Sequence, residues 1–420
     1  VLIIVGSLGP GGAERQVAYT AVGLAKRGFD VIVGCNSLEP PNDMFRSMLE
    51  GEGVTILECP REEPSLFVEG AELYSRFEKY AELNFWNIFH AVYNYSALIA
   101  SIKPQIVHTW TDYANVLGGL AAAIVGVPKV VLSGRSAAPD NFPNLFQPYM
   151  RPGYELLFER RDPIVLNNSR FGAMDYARFL GVETSRIQVV NNGFVFPGEI
   201  SKEIRKSVRR EYGIPDDAFV VGTITRFSEE KQPRLFADLA RDVLRRCRGV
   251  YFLGFGIGPQ LAEIRSEVAA AGLSEFVKLP GLTDDAWGSL SAMDMFILTS
   301  RMEGLANVLI EAQGSGLPVV CTGVGGMPET YLEGETGFGV KDARPEMLAD
   351  AVCLLIKDPI MRQRMSDAAR RHAREFFSVE KMIARTVEVY EAAENRIPSA
   401  RGNTRCEPLP QQIEVPARSS

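Results

Sequence analysis

Glu303-Gly304-Leu305-Ala306-Asn307-Val308-Leu309-Ile310-Glu311 sets two carboxylates eight residues apart around a glycine turn and a short apolar run. The stretch reads as a loop that opens a helix. An apolar strand candidate, Met295 to Leu298, precedes it and another, Pro318 to Cys321, follows. A strand-loop-helix-strand unit of this kind aims backbone N–H groups at whatever sits above the sheet. One carboxylate lies before the helix and one inside it. Both can reach a polyhydroxylated ligand whose phosphates rest at the helix N-terminus.

The same alternation runs through the whole chain. Strand candidates in the first half are Val1–Val5, Val31–Cys35, Val54–Leu57, Ile106–His108, Lys129–Ser133, Ile164–Asn167 and Ile187–Val190. In the second half they are Phe219–Thr225, Tyr251–Gly254, Val277–Leu279, Met295–Leu298, Val319–Cys321 and Gly337–Val340. Short apolar runs separated by helices indicate parallel strands buried on both faces. Two such series in tandem predict an α/β protein of two doubly wound, Rossmann-like domains with a cleft between them. The 420-residue length agrees, being too great for one ordinary core. The expected division is a first domain over 1–195, a linker over 196–217 with a short helix, and a second domain over 218–375. A helix over 376–394 then crosses back to the first domain, and a proline-bearing polar tail over 395–420 is expected to be disordered.

Composition narrows the function. A net charge of −7 argues against nucleic acid as a partner. No apolar run reaches the roughly 18 residues of a transmembrane helix, and no leader pattern is visible, so a cytoplasmic location is expected. Val1 falls inside a strand, so a segment is expected before it. The six cysteines lack CxxC spacing and read as reduced core residues. Aromatics crowd Phe67 to Tyr95. They read as helices packed on the first sheet; the alternative is a surface for a lipid-linked acceptor or a peripheral membrane contact.

Several loops at strand ends carry chemistry. Gly11 and Gly12, in Gly9-Pro10-Gly11-Gly12-Ala13-Glu14-Arg15, let backbone approach a phosphate or sugar, without the dinucleotide-type glycine spacing. Arg226 and Lys231 follow the first strand of the second domain and can clamp a diphosphate. Gly254-Phe255-Gly256-Ile257-Gly258 reads equally as a ligand loop or a turn. Gly323 to Gly326 permit close approach to a sugar, and Glu329 is placed to cap the helix after it. His108, at a strand end, is the best general-base candidate by position. No Asp-x-Asp pair occurs, so phosphate charge falls to Arg226, Lys231 and a helix N-terminus, with no metal.

Together these residues resemble the retaining glycosyltransferases of family 4, with the GT-B fold, from Val1 to about Ala393. Gly11 to Arg15 looks like an acceptor-side glycine loop, and Asn191-Asn192-Gly193 resembles the Asn-Gly element that ends the first domain. Glu303 to Glu311 matches the E-x7-E signature. The resemblance implies that Arg226 and Lys231 grip the donor diphosphate and that Glu303 contacts the donor sugar. It also implies that Glu311 holds the ribose and that backbone around Gly304, Leu305, Ala306, Asn307 and Val308 meets the phosphates. Thr225-Arg226 replaces the family's Gly-Arg. The places where relatives carry a site histidine hold Trp110, Asp112 and Tyr113. Asp112 and Asn115 therefore stand beside His108 as acceptor-side candidates, and Ser133-Gly134-Arg135-Ser136 could also face the cleft. The implied activity is transfer of a sugar from a nucleotide-sugar, a UDP-sugar by expectation, to a glycan or lipid-linked hydroxyl acceptor in polysaccharide or glycoconjugate synthesis, without a metal cofactor. The alternatives are a UDP-sugar epimerase or phosphorylase of the same fold, and a non-catalytic nucleotide-sugar-binding module of a larger protein.

Overall fold

The computed structural model describes residues 1–60, 85–198, 200–341 and 343–392. The polar tail, Cys406 and the aromatics Tyr74, Phe77 and Tyr80 lie outside the described residues. Among those described, thirteen strands form two wholly parallel sheets. The first has seven strands in the order β3-β2-β1-β4-β5-β6-β7, with β1 at Leu2–Ser7, β2 at Ile32–Ser37 and β3 at Thr55–Glu58. Its other half is β4 at Ile106–Trp110, β5 at Lys129–Ser133, β6 at Ile164–Asn167 and β7 at Ile187–Val189. The second has six in the order β10-β9-β8-β11-β12-β13. These are β8 at Phe219–Ile224, β9 at Val250–Phe255, β10 at Val277–Gly281, β11 at Met295–Leu298, β12 at Val319–Cys321 and β13 at Gly337–Gly339.

Every expected strand is present, with ends moved by a residue or two. Leu2, Ile3, Ile4, Val220, Val221, Phe296, Ile297 and Val319 are completely buried, as strands covered on both faces require. In each sheet the strand order reverses once, between β1 and β4 and between β8 and β11. Crevices at such reversals, outside the carboxyl ends of the strands, are where open α/β sheets bind ligands. Arg226 and Glu303 follow β8 and β11. In the first domain Gly11 follows β1, and Trp110 ends β4.

The expected linker is longer than the observed one. The helix Lys202–Glu211 packs on the second domain through Arg209, which is 1% exposed. Its guanidinium meets Asp294 at 2.8 Å and donates to the carbonyls of Ala292, Asp216 and Ala218. The crossing helix, Val379–Ala392, buries Met382, Ile383, Val389 and Tyr390 in the first domain's core with Val17, Ala21 and Leu24. The five described cysteines are buried free thiols. The helix Phe85–Ile102 sends Val92, Tyr95, Leu98 and Ile99 into the core, so the described part of the aromatic segment packs on the first sheet. No described helix is long and apolar enough to cross a membrane.

Arg209 is a buried cation held by one carboxylate and several carbonyls. Arg209→Ala strands Asp294 and those carbonyls and is expected to destabilise the second domain by roughly 3 kcal/mol. Urea unfolding checks this; a change below the error of the measurement contradicts the role given to the contact.

Candidate functional site

The loop after β11 is built to hold Glu303. Ser300 Oγ donates to its Oε1 at 2.7 Å, and Lys231 Nζ meets the same oxygen at 2.5 Å. Lys231 ends a short 3₁₀ turn after β8, and Thr299 Oγ1 donates to the Lys231 carbonyl at 2.9 Å. The two loops are tied again where Arg301 N donates to Glu230 O at 2.7 Å. Arg226 lies on the same segment, exposed, and makes no ion pair among the described residues. Gly256 is required beside it. Its φ is +135°, and a Cβ would lie 1.8 Å from the Thr225 carbonyl. The β9 loop thus packs against the Arg226 segment, with Thr225 N donating to Phe255 O and Phe227 N to Ile257 O, both at 2.9 Å. That glycine loop supports the cation.

The helix Asn307–Gly314 begins after this loop, and its first residue meets the first domain. Asn192 Nδ2 donates to Asn307 Oδ1 at 2.7 Å, and Gly12 leaves room for the Asn307 amide, which a Cβ there would approach to 3.2 Å. Glu311, inside the helix, pairs with Arg15 of the first domain at 2.7 Å. Burial raises the Glu311 pKa from its ordinary value, opposed by Arg15. Gly304 lies against the opposite wall, where its Cβ would come within 2.5 Å of Ser136 Cα. Glu329 departs from expectation. Its two oxygens accept from Arg170 N and Phe171 N, each at 2.7 Å, so it caps the helix Arg170–Leu180 across the cleft and not the helix that follows it. No local spacing pointed to that partner.

The acceptor-side expectations need correcting. His108 is 0% exposed; its Nδ1 lies 2.7 Å from Tyr390 Oη and its Nε2 2.7 Å from Ser133 Oγ. Burial and nearby Arg135 hold its pKa well below the ordinary value. This is a neutral core ring that joins the crossing helix to the sheet, and its geometry gives no support to a general base. Asp112 accepts from Tyr154 Oη at 2.8 Å and Tyr176 Oη at 2.9 Å, and faces the interior between two buried phenols. Asn115 is likewise 1% exposed, its Oδ1 taken by Thr109 Oγ1 and Ser133 N. Arg135 does reach the interdomain wall. It stacks 3.7 Å over Trp110 and donates to Val190 O and Asn192 Oδ1; burial lowers its pKa to about 9. Trp110 Nε1, Arg135 Nε and Asn168 Oδ1 are buried there without a partner. Thr111, beside Trp110, has a left-handed φ of +69°, a costly conformation for a β-branched residue. No group of three metal-ligating side chains occurs among the described residues.

The family profile for Glycosyl transferases group 1 matches residues 204–372, and that for Glycosyltransferase Family 4 matches 10–195. The second half of the chain is a group 1 glycosyltransferase domain. The Vi polysaccharide biosynthesis protein VipC/TviE of Salmonella typhi is 30% identical over 367 residues, 82% of this chain and 63% of that protein's length. The D-inositol 3-phosphate glycosyltransferase of Kribbella flavida is 26% identical over 337 residues, 74% of this chain and 73% of the relative. Among solved structures, Anabaena Alr3699/HepE in complex with UDP matches 93% of this chain and 99% of its own, with a TM-score of 0.75 and 22% identity. The two-domain arrangement is the GT-B fold.

The contact between the walls can be tested at Gly304. Gly304→Ala drives a methyl into the Ser136 backbone and opens the cleft; small-angle scattering is expected to show a larger radius of gyration than the parent chain. An unchanged profile contradicts the closed contact. Asp112 offers a test by pH. Burial raises its pKa above the ordinary 3.8 despite the tyrosine hydrogen bonds. The folded state therefore binds the proton more tightly than the unfolded one, and Asp112 costs stability as pH rises from about 3.8 through its folded value. In Asp112→Asn this loss is expected to vanish, so denaturation midpoints of parent and variant diverge with rising pH. Parallel curves contradict the buried setting.

Proposed function

We propose that this chain is a retaining glycosyltransferase that moves a hexosyl group from a UDP-sugar to a hydroxyl acceptor and requires no divalent metal. The observation that carries this reading is the Lys231–Glu303 pair at 2.5 Å, set near the N-terminus of the helix Asn307–Gly314. Arg226, on the same segment as Lys231, makes no ion pair among the described residues. Arg226, Lys231 and the helix N-terminus supply positive charge where a departing diphosphate gathers negative charge. Glu303, fixed by Ser300 and Lys231, is positioned for sugar hydroxyls. Glu311 is positioned for ribose hydroxyls, with Arg15 bringing the first domain against it. Solved relatives in complex with UDP and with UDP-glucose support the choice of donor, and the Vi polysaccharide relative supports a glycan acceptor.

In the reaction the acceptor oxygen approaches the anomeric carbon from the face the diphosphate leaves. The carbon–phosphate-oxygen bond breaks, the acceptor oxygen forms the new glycosidic bond, and the acceptor proton passes to the departing UDP oxygen. The diphosphate serves as the base, since His108 is buried away from the cleft. Closure through Gly304, Asn192 and Glu329 excludes water, which would otherwise hydrolyse the donor.

Lys231→Ala is expected to weaken UDP binding roughly 10- to 100-fold, the scale of one charge-assisted hydrogen bond, and Glu311→Ala to weaken it through lost ribose contacts. Calorimetry with UDP checks both, and unchanged affinity overturns the donor assignment. Incubation with UDP-sugars with and without acceptors separates transfer from epimerisation.

A further inference from the structure

A second charged site lies at the opposite edge of the second sheet. A cavity of about 1050 Å³ opens between the linker, the helix Lys202–Glu211 and the helix Pro359–Phe376. Its floor is formed by segments that lead into β11 and β12, at residues 290–294 and 314–317. Those are the amino ends of strands whose carboxyl ends carry the donor loops. Arg362 stacks 4.8 Å over Phe219, at the amino end of β8, which places the groove on the same far edge.

The groove is cationic within a chain of net charge −7. Lys202, Arg205, Arg362, Arg370 and Arg374 line it, and among the described lining residues Asp294 is the one carboxylate. Arg205 is already matched to Asp294 at 2.6 Å. The other four have no ion pair among the described residues. Arg362, Arg370 and Arg374 donate to neutral carbonyls, including those of Leu355, Ser315 and Pro197, and Lys202 has no side-chain partner among the described residues. Residues 362, 366, 370 and 374 share one face of their helix by the i, i+4 rule, so the cations form a stripe over roughly 18 Å at 1.5 Å per residue. Ser315 Oγ is buried beside them with no partner. Guanidinium forks that lack a carboxylate partner, with an ammonium across a recess, are the chemistry that takes phosphate groups. The recess is walled on several sides, which suits a soluble molecule better than a flat surface.

We propose that this groove binds a small anion carrying two or more phosphate groups, separate from the donor. The site sits at the hinge. Lys202 closes the linker, Arg374 already holds the Pro197 carbonyl at 2.6 Å, and the helix bearing Arg370 runs on into the segment that returns to the first domain, where Phe194 bridges Ser378. An anion between Lys202 and Arg370 fastens the linker to that helix and so acts on domain opening.

The test is calorimetric titration of tripolyphosphate into an Arg226→Ala/Lys231→Ala chain, which lacks the donor-side cations. About one equivalent is expected to bind. Adding Lys202→Ala and Arg370→Ala is expected to weaken binding at least tenfold, with the melting temperature held. Lys202→Glu alone, at an exposed position that cannot compromise folding through packing, is expected to weaken it in the same direction. Loss of all binding on removing Arg226 and Lys231, or unchanged affinity in the groove variants, overturns the proposal.

Discussion

Two carboxylates in a cleft need two cations, and the way this chain supplies them organises the molecule. Glu303 is matched by Lys231 from the neighbouring loop of its own domain, and Glu311 by Arg15 from the other domain. Desolvation works against the charge on Glu311, and Arg15 offsets it. One pair therefore shapes the loop after β11, while the other makes the contact between the domains part of the electrostatics of the cleft. Any ligand that drew Glu311 away from Arg15 would act directly on one of the contacts between the domains.

The closed arrangement rests on close approach and on helix ends. Gly304 meets the Ser136 backbone, Asn307 meets Asn192, and Glu329 takes two free amides at the start of the helix Arg170–Leu180. Two of these contacts are hydrogen-bonded and one is a close backbone approach, the make-up of an interface more polar than a core. The hinge is packed differently. Phe194, Leu305, Ile310, Ala373 and Phe377 form one small apolar cluster, and Gln16 exchanges two hydrogen bonds with Gly193. The cationic groove lies against this same hinge, on the side away from the cleft.

Much of this is legible in the chain itself. The strands can be read because short continuous apolar runs between helices suit parallel strands covered on both faces. The loop from Glu303 to Glu311 can be read from local spacing as a turn that opens a helix, and the structure has that form. Arg226 and Lys231 stand out because strand ends are where such sheets bind ligands. The misreadings share a cause. Whether His108, Asp112 and Asn115 face the cleft or the core depends on Tyr390, Tyr154, Tyr176 and Thr109, most of them far away in the chain, and spacing carries no record of such partners. The target of Glu329 and the pairing of Arg15 with Glu311 are hidden for the same reason. The linker is overdrawn because a charged helix looks solvated until Arg209 is seen buried on Asp294.

The most direct measurement is proton NMR of the reaction with a panel of α-linked UDP-sugars and hydroxyl acceptors, run in EDTA. Transfer that proceeds in EDTA, releases UDP and gives a product whose anomeric coupling keeps the α configuration is the expected result. A product of inverted configuration, or transfer that begins only when a divalent metal is added, would contradict same-face displacement at a donor site built from Arg226, Lys231 and the helix Asn307–Gly314.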